Sequence, residues 1–340
     1  MQKRHAAIVY NPIKVPLDRL RRAVLEQERE HGWGESSWFE TDSDDSGRRA
    51  AEEALAGDPA VVIVAGGDGT VRAVTEAVYE SETPLALVPA GTGNLLARNL
   101  GVPLTNVEGS VATAFAGTAR AVDVAVAELE DPDGHRRTRV FVVMAGIGLD
   151  AEMAQHTSAL AKKRLGWLAY VPPIARSVIA NRLFHLDYRI DGGRARPAHA
   201  HTVIVGNCGT LTGNMLLIPA AIVDDGMLDV VMLRPKGRWG WARIGTRLTA
   251  QGVANRSRFG RSMLRLAPEF RALSYAQGRS FEARFEIPHH IELDGDGFGQ
   301  VVRARITVRP SALRVCVHDD ATRLPARGDA AQARSGAAPA

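Results

Sequence analysis

Val61-Val62-Ile63-Val64-Ala65-Gly66-Gly67-Asp68-Gly69-Thr70-Val71-Arg72 is the stretch that decides the fold. A short, continuous run of mostly β-branched apolar residues feeds into Gly-Gly-Asp-Gly-Thr. A helical pattern follows, with Val71, Val74, Thr75, Ala77 and Val78 on the recurring positions. Strand, glycine turn and helix together aim backbone N–H groups and a helix N-terminus at one point, which suits a phosphate chain. The three glycines are expected to let the backbone approach anionic oxygens closely and to adopt positive φ.

A second turn of the same kind follows a second apolar run, Leu85-Ala86-Leu87-Val88-Pro89-Ala90-Gly91-Thr92-Gly93-Asn94. Two such turns, each opening a helix, imply one nucleotide held at the carboxyl ends of adjacent parallel strands. No Lys follows the first glycines, so this is not a Walker loop.

Working outward, residues 6–10 form a first strand ended by Asn11-Pro12, and 17–30 have helical spacing. Residues 38–41 read as a strand, 47–56 as a helix, 71–80 as a helix, and 95–100 as a helix ended by Gly101 and Pro103. Strands alternating with helices imply a doubly wound α/β layer. After about Ala121 the pattern changes to short strands linked by turns, at 122–129, 139–144, 184–190, 200–206, 227–233, 280–286, 290–293 and 301–308. These argue for a mainly antiparallel β-sandwich, with a helical insert over roughly 151–181. The strand at 313–317 could return to the first layer. The expected division is 1–121 for nucleotide binding, completed by about 309–320, a β-rich substrate domain over 122–308, and a disordered tail over 321–340.

The chain has 340 residues, a formal charge of +4 and 45% hydrophobic residues, which fit a globular protein with two domains of ordinary size. The two cysteines, Cys208 and Cys316, are far apart and outside any CxxC pair, which argues against a disulfide framework or a zinc site. No run reaches the roughly 18 apolar residues of a spanning helix, and no secretory leader is visible. The expected location is cytoplasmic.

Thr70 can donate its hydroxyl to phosphate. Asp68 can orient a metal ion or take a proton from a substrate hydroxyl. Asp294 and Asp296 flank a glycine in a tight turn. Two carboxylates this close are expected to repel, raising one pKa or drawing in a cation. Lys162 to Val171 mixes basic and aromatic residues, as do Trp239, Trp241, Arg243 and Arg247. Both suit an anionic membrane surface.

These motifs resemble, in order, the diacylglycerol kinase catalytic-domain family, bacterial lipid kinases related to sphingosine and ceramide kinases. The resemblance spans about 6–317. It rests on Asn11-Pro12, Gly66 to Thr70, Pro89 to Asn94 with Ala97-Arg98, Ala145 to Ala151, Asn207, Pro219-Ala220-Ala221, Asp224 to Val230 and Leu293 to Asp296. It implies that Asn11, Pro12, Thr41, Gly66, Gly67, Asp68, Gly69, Thr70, Val71, Arg72, Gly91, Thr92 and Asn94 line ATP. Ile222, Asp225 and Met227 would form a structural Mg²⁺ site, partly through backbone carbonyls, and oxygen-only ligands suit that cation. The catalytic carboxylate would be among Asp68, Asp294 and Asp296. Two departures stand out. Asp296 replaces the usual Glu, and Leu95 stands where many members have Asp, so Asp68 or Asp123 would compensate.

The implied activity is transfer of the γ-phosphoryl group of ATP to a lipid hydroxyl, with diacylglycerol as first choice. A sphingoid or ceramide substrate, a soluble substrate as in NAD kinases, and a nucleotide-binding regulator without turnover are the alternatives. The implied partners are a membrane lipid and a transient anionic membrane surface at the inner face. No nucleic acid is implied, and a homodimer is left open.

Overall fold

The computed structural model describes residues 3–42, 44–148, 183–209, 218, 221–234 and 273–318. The insert at 151–181, both basic–aromatic clusters, Asp150, Ala151, Pro219, Ala220 and the tail lie outside the described residues.

The first layer is a parallel sheet in the order β4-β3-β1-β2, from β1 (Ala6–Tyr10), β2 (Ser37–Glu40), β3 (Val61–Gly66) and β4 (Leu85–Pro89). β1 is buried along its whole length, as is β3, which explains their unbroken apolar runs. On one face lie α1 (Leu17–His31) and α5 (Val107–Ala116), with Leu20, Val24, Val111 and Phe115 against Ile8 and Ile63. On the other lie α2 (Arg48–Ala56), α3 (Asp68–Val78) and α4 (Leu95–Asn99), with Ala51, Val74 and Leu96 against Val9, Val62 and Val64. Helix α3 begins at Asp68, three residues before the expected start.

The second half is built from β5 (Thr118–Glu130), β6 (Arg136–Phe141), β7 (Met144–Ile147), β8 (Phe184–Ile190), β9 (Arg196–Ala200), β10 (Thr202–Gly206), β11 (Leu228–Leu233), β12 (Leu273–Gly278), β13 (Ser280–Leu293) and β14 (Asp296–Val317). All pairings among these strands are antiparallel. Strand β13 is bulged between Arg284 and His289; its first part pairs with β8 and its last part with β7. A bulge lets one strand serve two sheets. Between them lies a core that includes Phe141, Ile147, Leu186, Val205, Phe281, Leu293 and Ile306. The fold is thus an α/β layer plus a mainly antiparallel sandwich.

One strand joins the halves. β14 pairs antiparallel with β13 and β5, then runs parallel to β4 at Val315 opposite Leu85. Two expected strands, at 301–308 and 313–317, are parts of this one, separated by a register shift between Arg309 and Leu313. The expected strand at 139–144 is broken instead. Val142 and Val143 fall between β6 and β7, and their amides are used by the site. Cys208 and Cys316 are free and buried.

Candidate active site

Parallel strands bring their carboxyl ends to one edge, so Asn11, Thr41, Gly66–Thr70 and Gly91–Asn94 gather there. The Asn11 side chain accepts from the amides of Ile13 and Lys14, both at 3.1 Å, which fixes the turn after β1. That turn presents Lys14. A Cβ built on Gly67 would come within 3.2 Å of its ammonium. The sequence reading missed this lysine because it comes from another strand end, not from behind the glycines. Pro12 and Thr92 are exposed. Thr41 is buried, with its hydroxyl unpartnered among the described residues.

The glycines do not adopt positive φ as expected; Gly66, Gly67 and Gly69 are absent from the left-handed positions. They are required by close approach. A Cβ on Gly66 would lie 2.7 Å from Thr70, and one on Gly91 would lie 2.7 Å from the Gly67 Cα. The two glycine turns therefore touch backbone to backbone, joined also by the Ala90 amide donating to the Gly66 carbonyl at 2.8 Å. Within the second turn, Asn94 accepts from Gly91 N–H and donates back to the Gly91 carbonyl. Helix α3 has Gly67 at its N-cap, which makes no side-chain capping hydrogen bond. Val71 packs on the core, and Arg72 is buried with its guanidinium turned to Glu76 and Asp296.

The three candidate carboxylates have different surroundings. Asp68 accepts from Asn94 N–H at 2.8 Å and Leu95 N–H at 2.6 Å, one oxygen each. It ties the two glycine turns together. Burial raises its pKa, the backbone bonds oppose that, and the charge of Asp296 adds to it. Asp294 is buried and accepts from Val142, Val143 and Met144 N–H at 2.9, 2.9 and 3.0 Å. Burial pushes its pKa up to about 6, against those three bonds. Asp296 lies against the first glycine turn: a Cβ on Gly69 would sit 2.8 Å from its Oδ2. Arg72 Nε donates to the same oxygen at 3.2 Å, and the side chain keeps 41% exposure.

The expected repulsion between Asp294 and Asp296 is therefore not how the turn works. Asp294 and Gly295, both at positive φ, form a two-residue hairpin loop of the Asp-Gly type. The reversal of the chain at this loop, with Asp294 in the turn and Asp296 opening β14, gives the two carboxylates different partners. The negative neighbour of Asp294 is Asp68. Asp123 likewise does not reach the nucleotide turns; it accepts from Gly226 N–H at 2.6 Å and Ser311 N–H at 2.8 Å.

That contact builds the acidic turn at 222–227. Gly226 has φ +71°, and Asp225 accepts from Met227 N–H at 3.0 Å. Burial pushes the Asp225 carboxyl up to about 6, and the charges of Asp229, Asp123 and Asp224 add to this. Ile222, Asp225 and Met227 can offer one carboxylate and two backbone carbonyls, oxygen donors of the kind that suit Mg²⁺. A second acidic group, Asp131, Asp133 and His135, lies on the β5–β6 hairpin.

Residues 5–127 match the model for the diacylglycerol kinase catalytic domain, and residues 142–317 match that for the YegS C-terminal NAD kinase beta sandwich-like domain. The probable lipid kinase YegS-like of Pseudomonas fluorescens is 30% identical over 332 residues, covering 95% of this chain and 99% of the relative. This chain belongs to the diacylglycerol kinase-like lipid kinase family. The diacylglycerol kinase of Bacillus subtilis is 26% identical over 246 residues, covering 72% of this chain and 78% of that one. The crystal structure of a diacylglycerol kinase from Bacillus anthracis shares the fold, with a TM-score of 0.69 and 22% identity over 94% of this chain and 99% of the other. The family is one of kinases. Among the described residues, no helix is long and apolar enough to cross a membrane.

Proposed function

We propose that this member of the family is an ATP- and Mg²⁺-dependent kinase that phosphorylates diacylglycerol to phosphatidic acid at the inner membrane face. The observation that supports a transferase with this geometry is the Asp296 carboxylate, from the second half of the chain, lying on Gly69 of the nucleotide turn. The ATP phosphates would run along the N-terminus of α3, with Lys14 beside them. The lipid hydroxyl oxygen attacks the γ-phosphorus. An O–P bond forms, the bond to the β,γ-bridging oxygen breaks, ADP leaves, and the hydroxyl proton passes to a carboxylate. Asp68 and Asp294 have both oxygens committed to backbone N–H groups, so Asp296 is the base. Mg²⁺, when bound, would neutralise phosphate charge. The lipid is reached by reversible contact with an anionic surface, for which the segment 162–171 is the candidate.

The test is γ-labelled ATP with diacylglycerol, ceramide, sphingosine, monoacylglycerol and NAD, the products being separated by chromatography. Labelled phosphatidic acid is expected. Label in a sphingoid product or in NAD would replace the substrate, and ATP binding without any product would make the chain a regulator.

A further inference from the structure

We infer that Arg72 is the positioning residue for Asp296, a clamp through which helix α3 sets the carboxylate of the other half of the molecule. This rests on the reading of Asp296 as the base. Arg72 is expected from the resemblance to line ATP, yet its side chain is only 8% exposed and its Nε and Nη1 are engaged elsewhere. Nε donates to Asp296 Oδ2 at 3.2 Å, and Nη1 donates to Glu76 Oε2 at 3.2 Å. The guanidinium lies over the Phe298 ring, 4.7 Å from its centroid. Edge, fork and face are thus used at once, which a lysine ammonium cannot reproduce.

The spacing explains why one helix can do this. Asp68, Arg72 and Glu76 are four residues apart, so they form one stripe along α3. At the head of the stripe, Asp68 holds the second glycine turn. One turn on, Arg72 holds Asp296 and the ring two residues beyond it on β14. At the third position Glu76 anchors the guanidinium, and Arg139 at 3.7 Å and Arg48 at 3.9 Å share its charge. Arg137 donates to the Phe298 carbonyl, fixing the same stretch of β14 from the sheet side. The reach from the first glycine turn to Asp296 is therefore set along the helix repeat.

The experiment compares wild type, Arg72→Gln, Arg72→Lys, Asp296→Asn and the Arg72→Gln/Asp296→Asn double variant, with ATP and diacylglycerol in mixed micelles. Backbone amide exchange over 294–300 is measured in parallel. Misplacing a reacting group costs about 10²-fold, so Arg72→Gln should lower kcat by about that factor while KM for ATP stays within about twofold. Arg72→Lys should recover part of the loss. The double variant should be no slower than Asp296→Asn, because nothing remains to be positioned. Exchange over 294–300 should speed up in Arg72→Gln. Unchanged kcat in Arg72→Gln, or losses that multiply in the double variant, would overturn the clamp. Normal turnover in Asp296→Asn would overturn the base assignment, and the clamp would then stand or fall on the exchange result, which would also decide if diacylglycerol accepts no phosphate. Should Arg72→Gln not fold, Phe298→Leu removes the ring and leaves both charges; about fivefold lower kcat is expected from the lost cation–π contact, and unchanged kcat with unchanged exchange would overturn the clamp.

Discussion

At the nucleotide side, Gly66, Gly69 and Gly91 work by what they lack: a Cβ on any of them would meet Thr70, Asp296 or Gly67 at 2.7 to 2.8 Å. In the second half of the chain, the 294–296 turn works by what it carries, one carboxylate sunk into three backbone amides and another left half-exposed beside Arg72. The first kind of turn fixes distance through close approach, to a side chain at Gly66 and Gly69 and to backbone at Gly91. The second fixes it through side-chain acceptors, and so depends on where neighbouring amides point. Asp68 belongs to the first turn by sequence but to the second by method, since it too spends both oxygens on amides. Three aspartates that look equivalent in the chain thus divide into two whose oxygens are taken up by backbone amides and one left half-exposed beside a guanidinium.

Substitutions can break that division. The largest effect is expected at Asp296→Asn, which removes a proton acceptor and keeps the shape. Loss of a general base costs about 10²–10⁴-fold, so kcat should fall by about 10³ with ATP affinity kept. If ATP affinity falls instead, Asp296 is a binding group. Asp68→Asn comes next. An amide offers one acceptor oxygen where two amides need one each, so the second glycine turn should loosen. Turnover should drop by about 10²-fold with a clear rise in KM for ATP, a combination a pure base would not give. A loss confined to kcat would return Asp68 to proton transfer.

Asp294→Asn addresses stability and pH. Because burial holds the folded pKa at about 6, above the ordinary value of 3.8, the folded state keeps a proton that the unfolded chain has lost in between. Stability from this group is present at low pH and lost as pH rises through about 6. Urea unfolding at pH 4.5 and 7.0 should show a decline in wild type that is smaller in the variant by about 2 kcal/mol. Equal declines would mean that the three amides outweigh burial. The smallest effect is expected for Lys14→Ala, which removes an exposed ammonium beside Gly67. KM for ATP should rise by about fivefold, and more at low salt than at high. A kcat change with constant KM would place Lys14 in the transition state.

Much of this was legible in the chain because buried parallel strands and close-approach turns leave local marks. Val61–Gly66 and Leu85–Pro89 are continuous apolar runs, and the glycines that follow have no other use. Helix α5 left a weaker mark. Val107–Ala116 contains Gly109 and small residues, and it buries Ser110 and Ala114 beside Phe115, so its apolar face is faint. Asn106, which accepts from Gly109 N–H as an N-cap, was the available signal. Strands β13 and β14 read as pairs of strands because their bulges interrupt the alternation. The partners of Asp294 could not be read, since the amides it accepts from lie about 150 residues away. The Asp68–Arg72–Glu76 stripe was readable as spacing, but not the ring and carboxylate it faces.

Strand β14 has a consequence for how the chain matures. It runs 22 residues, about 70 Å at a strand's rise. It begins at Asp296 and reaches the parallel layer only at Val315. During synthesis β1 to β4 emerge long before it, and the edge of β4 that Val315 will cover stays bare. A nascent chain halted before residue 309 would thus keep an open sheet and need shelter from other chains. The strand that opens with Asp296 is also the one that covers the β4 edge of the parallel layer, so the last step of assembly covers that edge and places the carboxylate against Gly69 in a single event.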